Sequence, residues 1–375
     1  MNKRLHIAIV ANTAFNLYNF RLGLLKMLIE EGHHVFAIAP ADGYEQLLLK
    51  EGIQFIPLQH LSRKGTNPFE DIQLINELRK LYKTHQLDVV LQYTIKPNIY
   101  GALATWFTKT KAICTVTGLG YTFLNKSLAS SVARYLYRLA FTSAHKILFQ
   151  NEDDLKVFVE NGLVKKSKTL IVPGSGIDIK QFNPDFCKED KSNQITRFLM
   201  IGRLLKDKGV YEYINAAKII LSRYNSVEFH LLGDIDDENP AAIKQEELQQ
   251  WIKAGIIHYH PHALDIRLHI CLADCIVLPS YREGLPRVIL EGMAMGKPCI
   301  TSDVPGCRDA VVDGQQGFLC KSKDSEALVS ACTRFLEADE IYINKLCVSA
   351  RKRVEEKFSK ETINAIYSQL LKKLN

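Results

Sequence analysis

No stretch of 18 consecutive apolar residues occurs in the 375-residue chain, which removes a membrane-spanning helix from its expected elements. The Gly-x-Gly-x-x-Gly fingerprint is missing after the first strand-like segment, which argues against a nicotinamide-dinucleotide enzyme. A secretory layout is missing too: the chain enters a strand pattern at residues 5–11, and a cytoplasmic location is expected. The nine cysteines are odd in number and irregularly spaced, so they form no disulfide framework and fit a reducing compartment. Cys271-x3-Cys275 lacks zinc-pair spacing, and one of the two is expected in the core. Zinc-finger, RRM-like and KH-like signatures are absent, so nucleic acid is not an expected partner. Low-complexity tracts and short-period repeats are absent as well.

What is present fits a globular enzyme. At 375 residues there is room for two domains that each bury a core, and 47% apolar with 24% charged residues is ordinary for such a chain. The net charge of +7 is uneven: residues 1–172 hold 21 basic and 13 acidic side chains, about +8, and leave about −1 for the remainder. A basic first half suits a polyanionic partner, with an anionic bilayer surface or a lipid diphosphate fitting best; an ordinary solvated surface is the plain alternative. The segment from Phe123 to Phe149, with Arg134, Tyr135, Tyr137 and Arg138, reads either as an amphipathic membrane-surface helix or as a packed core helix.

Apolar runs at 7–10, 35–39, 55–58, 89–91, 113–116 and 147–149 read as buried parallel strands, with helical patterns at 22–30, 43–50, 70–83, 127–141 and 153–160 between them. The alternation restarts after a polar linker at 183–194, with strands at 197–201, 228–232, 257–259, 275–278 and 299–301. This is α/β architecture: two doubly wound domains, 1–172 and 173–358, with a terminal helix at 359–375 carrying Ile363, Ile366, Tyr367, Leu370 and Leu371 at helical spacing. Ligands of such sheets sit at the carboxyl ends of the strands, so two facing sheets would place an active cleft between the domains.

The most informative stretch is Pro279-Ser280-Tyr281-Arg282-Glu283-Gly284-Leu285-Pro286-Arg287, continuing to Glu291 and Gly296. A strand runs into a polar turn, and Pro286 is expected to open a helix. Backbone N–H groups near Gly284 to Arg287 would then meet an anion at the positive helix end. Glu283 and Glu291 are eight positions apart, which on a helix is about 80° of rotation and roughly 12 Å of rise. That separation lets both carboxylates face one nucleotide sugar, although two solvated glutamates would have the same spacing.

Pro279-Ser280-x-x-Glu283-Gly284-x-Pro286 and Glu291 resemble the signature of the retaining glycosyltransferases of family 4, which have the GT-B fold. The resemblance implies Glu283 against the donor sugar, Glu291 on the ribose, and Ser280 and the Gly284-Leu285-Pro286 backbone around the diphosphate. Gly202-Arg203-x4-Lys208-Gly209 resembles the family's cationic element, which implies that Arg203 and Lys208 clamp the donor diphosphate. The chemistry requires cations there, because a departing nucleoside diphosphate gains negative charge as its bond to the sugar breaks. Asp303 to Asp309, and Asp313-Gly314-x2-Gly317, are similar to the family's closing loops.

Two departures from the family pattern stand out, one in the loop after the first strand and one near Thr117. The Gly-Gly loop that many members carry after the first strand is replaced by Asn12 to Arg21, where Asn16 and Arg21 are candidates for the acceptor or the diphosphate, or are simply loop packing. Lys96, after the strand at 89–91, is a candidate phosphate contact or an ordinary exposed lysine. The histidine that many members place near Thr117 is absent, so only a backbone role for Thr117 and Gly118 carries over.

Asp234-x-Asp236 has a divalent-metal look, but the resemblance implies a nucleotide-proximal loop and no metal. His258 and His260 share a strand face, which fits a loop near the base better than zinc. Ser62-Arg63-x3-Asn67-Pro68-Phe69 and Asp237-Glu238-Asn239-Pro240 resemble members that add N-acetylgalactosamine to lipid-diphosphate-linked bacillosamine. The combined expectation is a metal-independent enzyme at the cytoplasmic membrane surface, with a UDP-sugar as donor and a polyprenyl-diphosphate-linked saccharide as acceptor. A nucleotide-sugar epimerase, or a non-catalytic sugar- or lipid-binding partner, are the rival readings.

Overall fold

The computed structural model describes residues 3–62, 67–119, 128–187, 195–237 and 239–374. Arg63, Glu238, Gly120, the start of the aromatic segment and most of the polar linker lie outside them. The chain divides into two compact units, Met1–Gly176 with Lys360–Asn375, and Ile177–Ser359.

The first unit is one parallel sheet. Its strands are β1 (His6–Val10), β2 (His34–Ala39), β3 (Gln54–Pro57), β4 (Val89–Tyr93), β5 (Lys111–Val116), β6 (Lys146–Phe149) and β7 (Thr169–Ile171), in the spatial order β3-β2-β1-β4-β5-β6-β7. Successive strand residues point to opposite faces, and both faces are covered. Ala8 and Val10 therefore join one apolar cluster, while Ile7 and Ile9 join another. The second cluster takes Leu17, Leu24, Leu25 and Leu28 from helix α1 (Ala14–Glu30). It also takes Ile363, Tyr367, Leu370 and Leu371 from the C-terminal helix Lys360–Lys372. The Tyr93 hydroxyl donates to the Tyr367 hydroxyl at 2.9 Å, tying that helix to the end of β4. Helix α2 (Leu128–Ser143) divides its faces: Tyr137, Ala140 and Phe141 are buried, whereas Val132 and Tyr135 are 58% and 68% exposed.

The second unit has six parallel strands, β8 (Thr196–Ile201), β9 (Val227–Leu232), β10 (His258–His260), β11 (Cys275–Leu278), β12 (Cys299–Ser302) and β13 (Gly317–Cys320). Their order is β10-β9-β8-β11-β12-β13, the 3-2-1-4-5-6 order of a doubly wound nucleotide-binding sheet. Its helices include α3 (Val210–Leu221), α4 (Arg267–Leu272), α5 (Arg287–Ala294) and α6 (Cys307–Ala310). The chain order of the strands reverses between β8 and β11 here, and between β1 and β4 in the first unit. Those two positions are where such sheets bind ligands.

One expectation about the cysteines is overturned. Cys187 and Cys271 form a disulfide 84 residues apart in sequence. Arg267, on the same helix as Cys271, lies over the Phe186 ring at 4.3 Å and donates to the Gln181 carbonyl, which sets α4 against the turn that carries Cys187. Tertiary packing therefore makes this pair, and no local spacing announces it. None of the other seven cysteines is in a disulfide, and of the Cys271/Cys275 pair Cys275 is the core member.

Candidate active site

Two loops meet at the switch point of the second unit. The first leaves β8 through Gly202 and Arg203, and a tight turn at Lys206–Lys208 follows. Gly209 then enters α3 with φ +80°, and a Cβ there would stand 2.2 Å from the Pro279 carbonyl oxygen. Only glycine lets the two loops approach so closely. The second loop leaves β11 at Pro279, and its Tyr281 N–H donates to the Asp207 carbonyl at 2.9 Å.

Side chains bridge the same gap. Lys208 Nζ lies 2.5 Å from Glu283 Oε1, and the buried Ser280 hydroxyl donates to the same oxygen at 2.6 Å. Glu283 Oε2 has no hydrogen-bond partner among the described residues. The Glu283 N–H reaches the Pro305 carbonyl at 3.3 Å. A carboxylate fixed by a cation and a hydroxyl is preorganised, with its second oxygen left to accept hydrogen bonds.

Helix α5 begins at Arg287, one residue later than the sequence implied. Pro286 is its cap, with φ −74° and ψ 107°. Gly284, Leu285 and Pro286 are buried in the turn before it. Glu283 therefore lies outside the helix, and helical rotation does not relate it to Glu291; the turn does. Glu291 is 7% exposed and accepts from Arg287 Nε at 2.6 Å. Burial raises its carboxyl above the ordinary range, and Arg287 opposes that rise.

Arg203 is more open. Its NH1 pairs with Asp236 Oδ2 at 2.8 Å. Asp236 thus has a guanidinium as neighbour. Asp234 accepts from the His262 N–H at 3.1 Å.

The histidines form a cluster on the β9–β10 edge. His230 Nε2 lies 3.1 Å from Glu228 Oε2, and His230 Nδ1 lies 3.0 Å from His260 Nε2. Glu228, His230 and His258 place ligand atoms within 4.8 Å of one another, a grouping that the spacing along β10 alone does not reveal.

The first-unit candidates are brought together only in part. Asn16 and Arg21 are on α1, which follows β1. Lys96 follows β4 and is ion-paired with Asp71 at 3.0 Å, while Asp71 also accepts from the Tyr100 hydroxyl at 2.6 Å. The expected free phosphate contact is thus an internal pair in this structure. Thr117 and Gly118 leave β5 half-buried.

Two doubly wound units, the second with basic and acidic side chains on the loops at its switch point, are the architecture of the GT-B class. The comparisons agree. Residues 183–356 match the model for "Glycosyl transferases group 1", and residues 6–151 match "Glycosyl transferase 4-like". The chain is 30% identical over 354 residues to N,N'-diacetylbacillosaminyl-diphospho-undecaprenol alpha-1,3-N-acetylgalactosaminyltransferase of Campylobacter jejuni, covering 91% of this chain and 92% of that one. It is 25% identical to UDP-Gal:alpha-D-GlcNAc-diphosphoundecaprenol alpha-1,3-galactosyltransferase of Escherichia coli, covering 77% and 76% of the two chains. The crystal structure of Anabaena HepE with UDP and glucose superposes with a TM-score of 0.80 at 18% identity, over 98% of this chain and 99% of that one. The chain belongs to the family 4 (group 1) glycosyltransferases and has their GT-B fold.

Proposed function

We propose that the protein transfers a sugar, an N-acetylhexosamine by preference, from a UDP-sugar to a saccharide carried on a polyprenyl diphosphate, with retention at the anomeric carbon, in bacterial surface-glycan synthesis. The observation that carries the reading is the Lys208–Glu283–Ser280 constellation at the switch point of the second unit. Lys208 and Arg203 are the cations for the diphosphate, joined by the N-terminal turn of α5. Glu283 takes the donor sugar's hydroxyls through Oε2, and Glu291 takes the ribose. The bond from the anomeric carbon to the diphosphate breaks, the acceptor oxygen bonds to that carbon on the same face, and the departing phosphate oxygen takes the acceptor's proton. UDP leaves with the charge that Lys208 and Arg203 offset. The relatives named above support lipid-diphosphate acceptors, and one supports a UDP donor. No metal takes part in this scheme; activity lost to EDTA and restored by manganese would refute that element.

The test begins with a UDP-sugar panel read by thermal shift, because a bound ligand raises the melting temperature by mass action. Transfer from the stabilising sugar to a lipid-linked acceptor, with the product anomer read by NMR, then checks reaction and stereochemistry. Glu283→Ala should lower kcat by about 100-fold or more, the scale of a lost charge-stabilising contact, whereas Glu291→Ala should mainly raise the donor KM. Equal and small losses would refute both roles. The basic first unit and the exposed Val132 and Tyr135 support placement on an anionic membrane face. Vesicle binding that ignored anionic lipid content would count against it.

A further inference from the structure

We infer that the carboxyl ends of β1 and β4 form a phosphate-binding subsite whose cation is Arg21. This inference rests on the donor and acceptor classes proposed above and names the part of the first unit that holds one of their phosphates.

Arg21 is only 4% exposed, yet among the described residues its guanidinium has neither a carboxylate nor a hydrogen-bond partner. It lies over the Tyr93 ring, 3.8 Å from the centroid, and its Nε is buried without a partner. A ring face attracts a cation but satisfies none of its five N–H groups. The Tyr93 hydroxyl is already given to Tyr367 and, raised by burial, does not supply a negative charge. Lys96 is the other cation after β4, and Asp71 neutralises it. A buried guanidinium left unpaired costs stability unless an anion arrives.

The surroundings carry the same signature. α1 starts just beyond the carboxyl end of β1, and helical side chains lean toward the helix N-terminus, so Arg21 leans back toward the strand ends. Tyr93 is the last residue of β4, and Thr94 after it adopts φ +72°, a left-handed conformation that a β-branched residue rarely takes. The Thr94 hydroxyl and Asn16 Oδ1 are both buried without partners. Strain and orphaned polar atoms together at the switch point of a parallel sheet mark a ligand site. A phosphate suits it, because the guanidinium fork pairs two of its oxygens at once and the Thr94 hydroxyl can donate to a third.

Two phosphate sources exist, the acceptor's lipid diphosphate and the donor's nucleoside diphosphate. Titration calorimetry of the full chain with farnesyl diphosphate and, separately, with UDP distinguishes them. Arg21→Gln should weaken farnesyl diphosphate at least tenfold and UDP less than twofold, which assigns the subsite to the acceptor. Weakening of UDP instead keeps the subsite and assigns it to the donor. No change for either probe overturns it. Arg21→Lys keeps the charge but loses the fork, and should bind several-fold more weakly than wild type; unchanged affinity would also overturn it. Because the cation is unpaired, Arg21→Met without ligand should melt no lower than wild type, and loss of the fold in both neutral variants would show that the guanidinium is satisfied internally. These titrations need no turnover, so a chain that binds farnesyl diphosphate through Arg21 yet transfers no sugar would fail the proposed function and not this inference.

Discussion

Gly306 shows how one missing side chain holds the acidic loop. It caps α6 with φ +81° and ψ −46°, and a Cβ there would lie 2.5 Å from the Glu283 carbonyl oxygen and 2.6 Å from that of Gly284. Both neighbours are backbone, so neither yields cheaply. Gly306→Ala should cost about 2–6 kcal/mol, the sum of left-handed strain and overpacking, and should lower turnover by shifting Glu283. Urea denaturation and a transfer assay check this; an alanine variant with the wild-type midpoint and rate would show that Gly306 does not fix the turn. At this scale the sequence already exposed the two loops that meet at the switch point, because Pro-Ser-x-x-Glu-Gly and Gly-Arg-x4-Lys-Gly are contiguous. It did not expose their partners. Lys208 meets Glu283 across 75 positions, and Asp71 meets Lys96 across 25. Only the fold closes those distances.

At the scale of elements, parallel strands buried on both faces are written as unbroken apolar runs, which is why most of them were legible. β7 and β13 were not: β7 is three residues, all only half-buried, and β13 opens on Gly317 with Phe318 and Leu319 as its only large apolar residues. Cross-strand pairing was equally hidden. His258 stands opposite His230, and Arg197 opposite Glu228. The cluster therefore draws on β8, β9, β10 and α4, with Arg197, Glu228, His230, His258, His260 and His269 all in it. Burial lowers the pKa of His230, His260 and His269 below the ordinary histidine value, although Glu228 pulls His230 upward. A base whose folded pKa is depressed binds fewer protons folded than unfolded, so stability falls as pH drops below about 6.5, the unfolded histidine value. The melting temperature should thus decline as pH falls from about 6.5 through the mildly acidic range, and a His230→Gln, His260→Gln pair should flatten the decline. An equal slope in the variant would place the acid sensitivity elsewhere.

The whole chain holds one feature that neither residue types nor periodicity could announce. A disulfide joins Cys187, just before the segment leading into β8, to Cys271 on α4. An irregular set of nine cysteines gave no reason to choose that pair, because pairing depends on where α4 lands. The remaining seven thiols include six that are buried, so the chain is still not stapled in the manner of a small secreted domain. Denatured without reductant, the protein should titrate seven thiols, and with reductant all nine. Closing a loop of 84 residues restricts the unfolded chain, by the entropy model at roughly 4–5 kcal/mol and in measured cases more often 2–4. Reduction should therefore lower the melting temperature by several degrees, and Cys187→Ser with Cys271→Ser should remove the response to reductant. Both units bury apolar cores that do not depend on the bond, so the reduced chain should stay folded. Nine titratable thiols in the unreduced, denatured protein would mean that the pair lies close but unjoined, as a reducing cytoplasm would keep it.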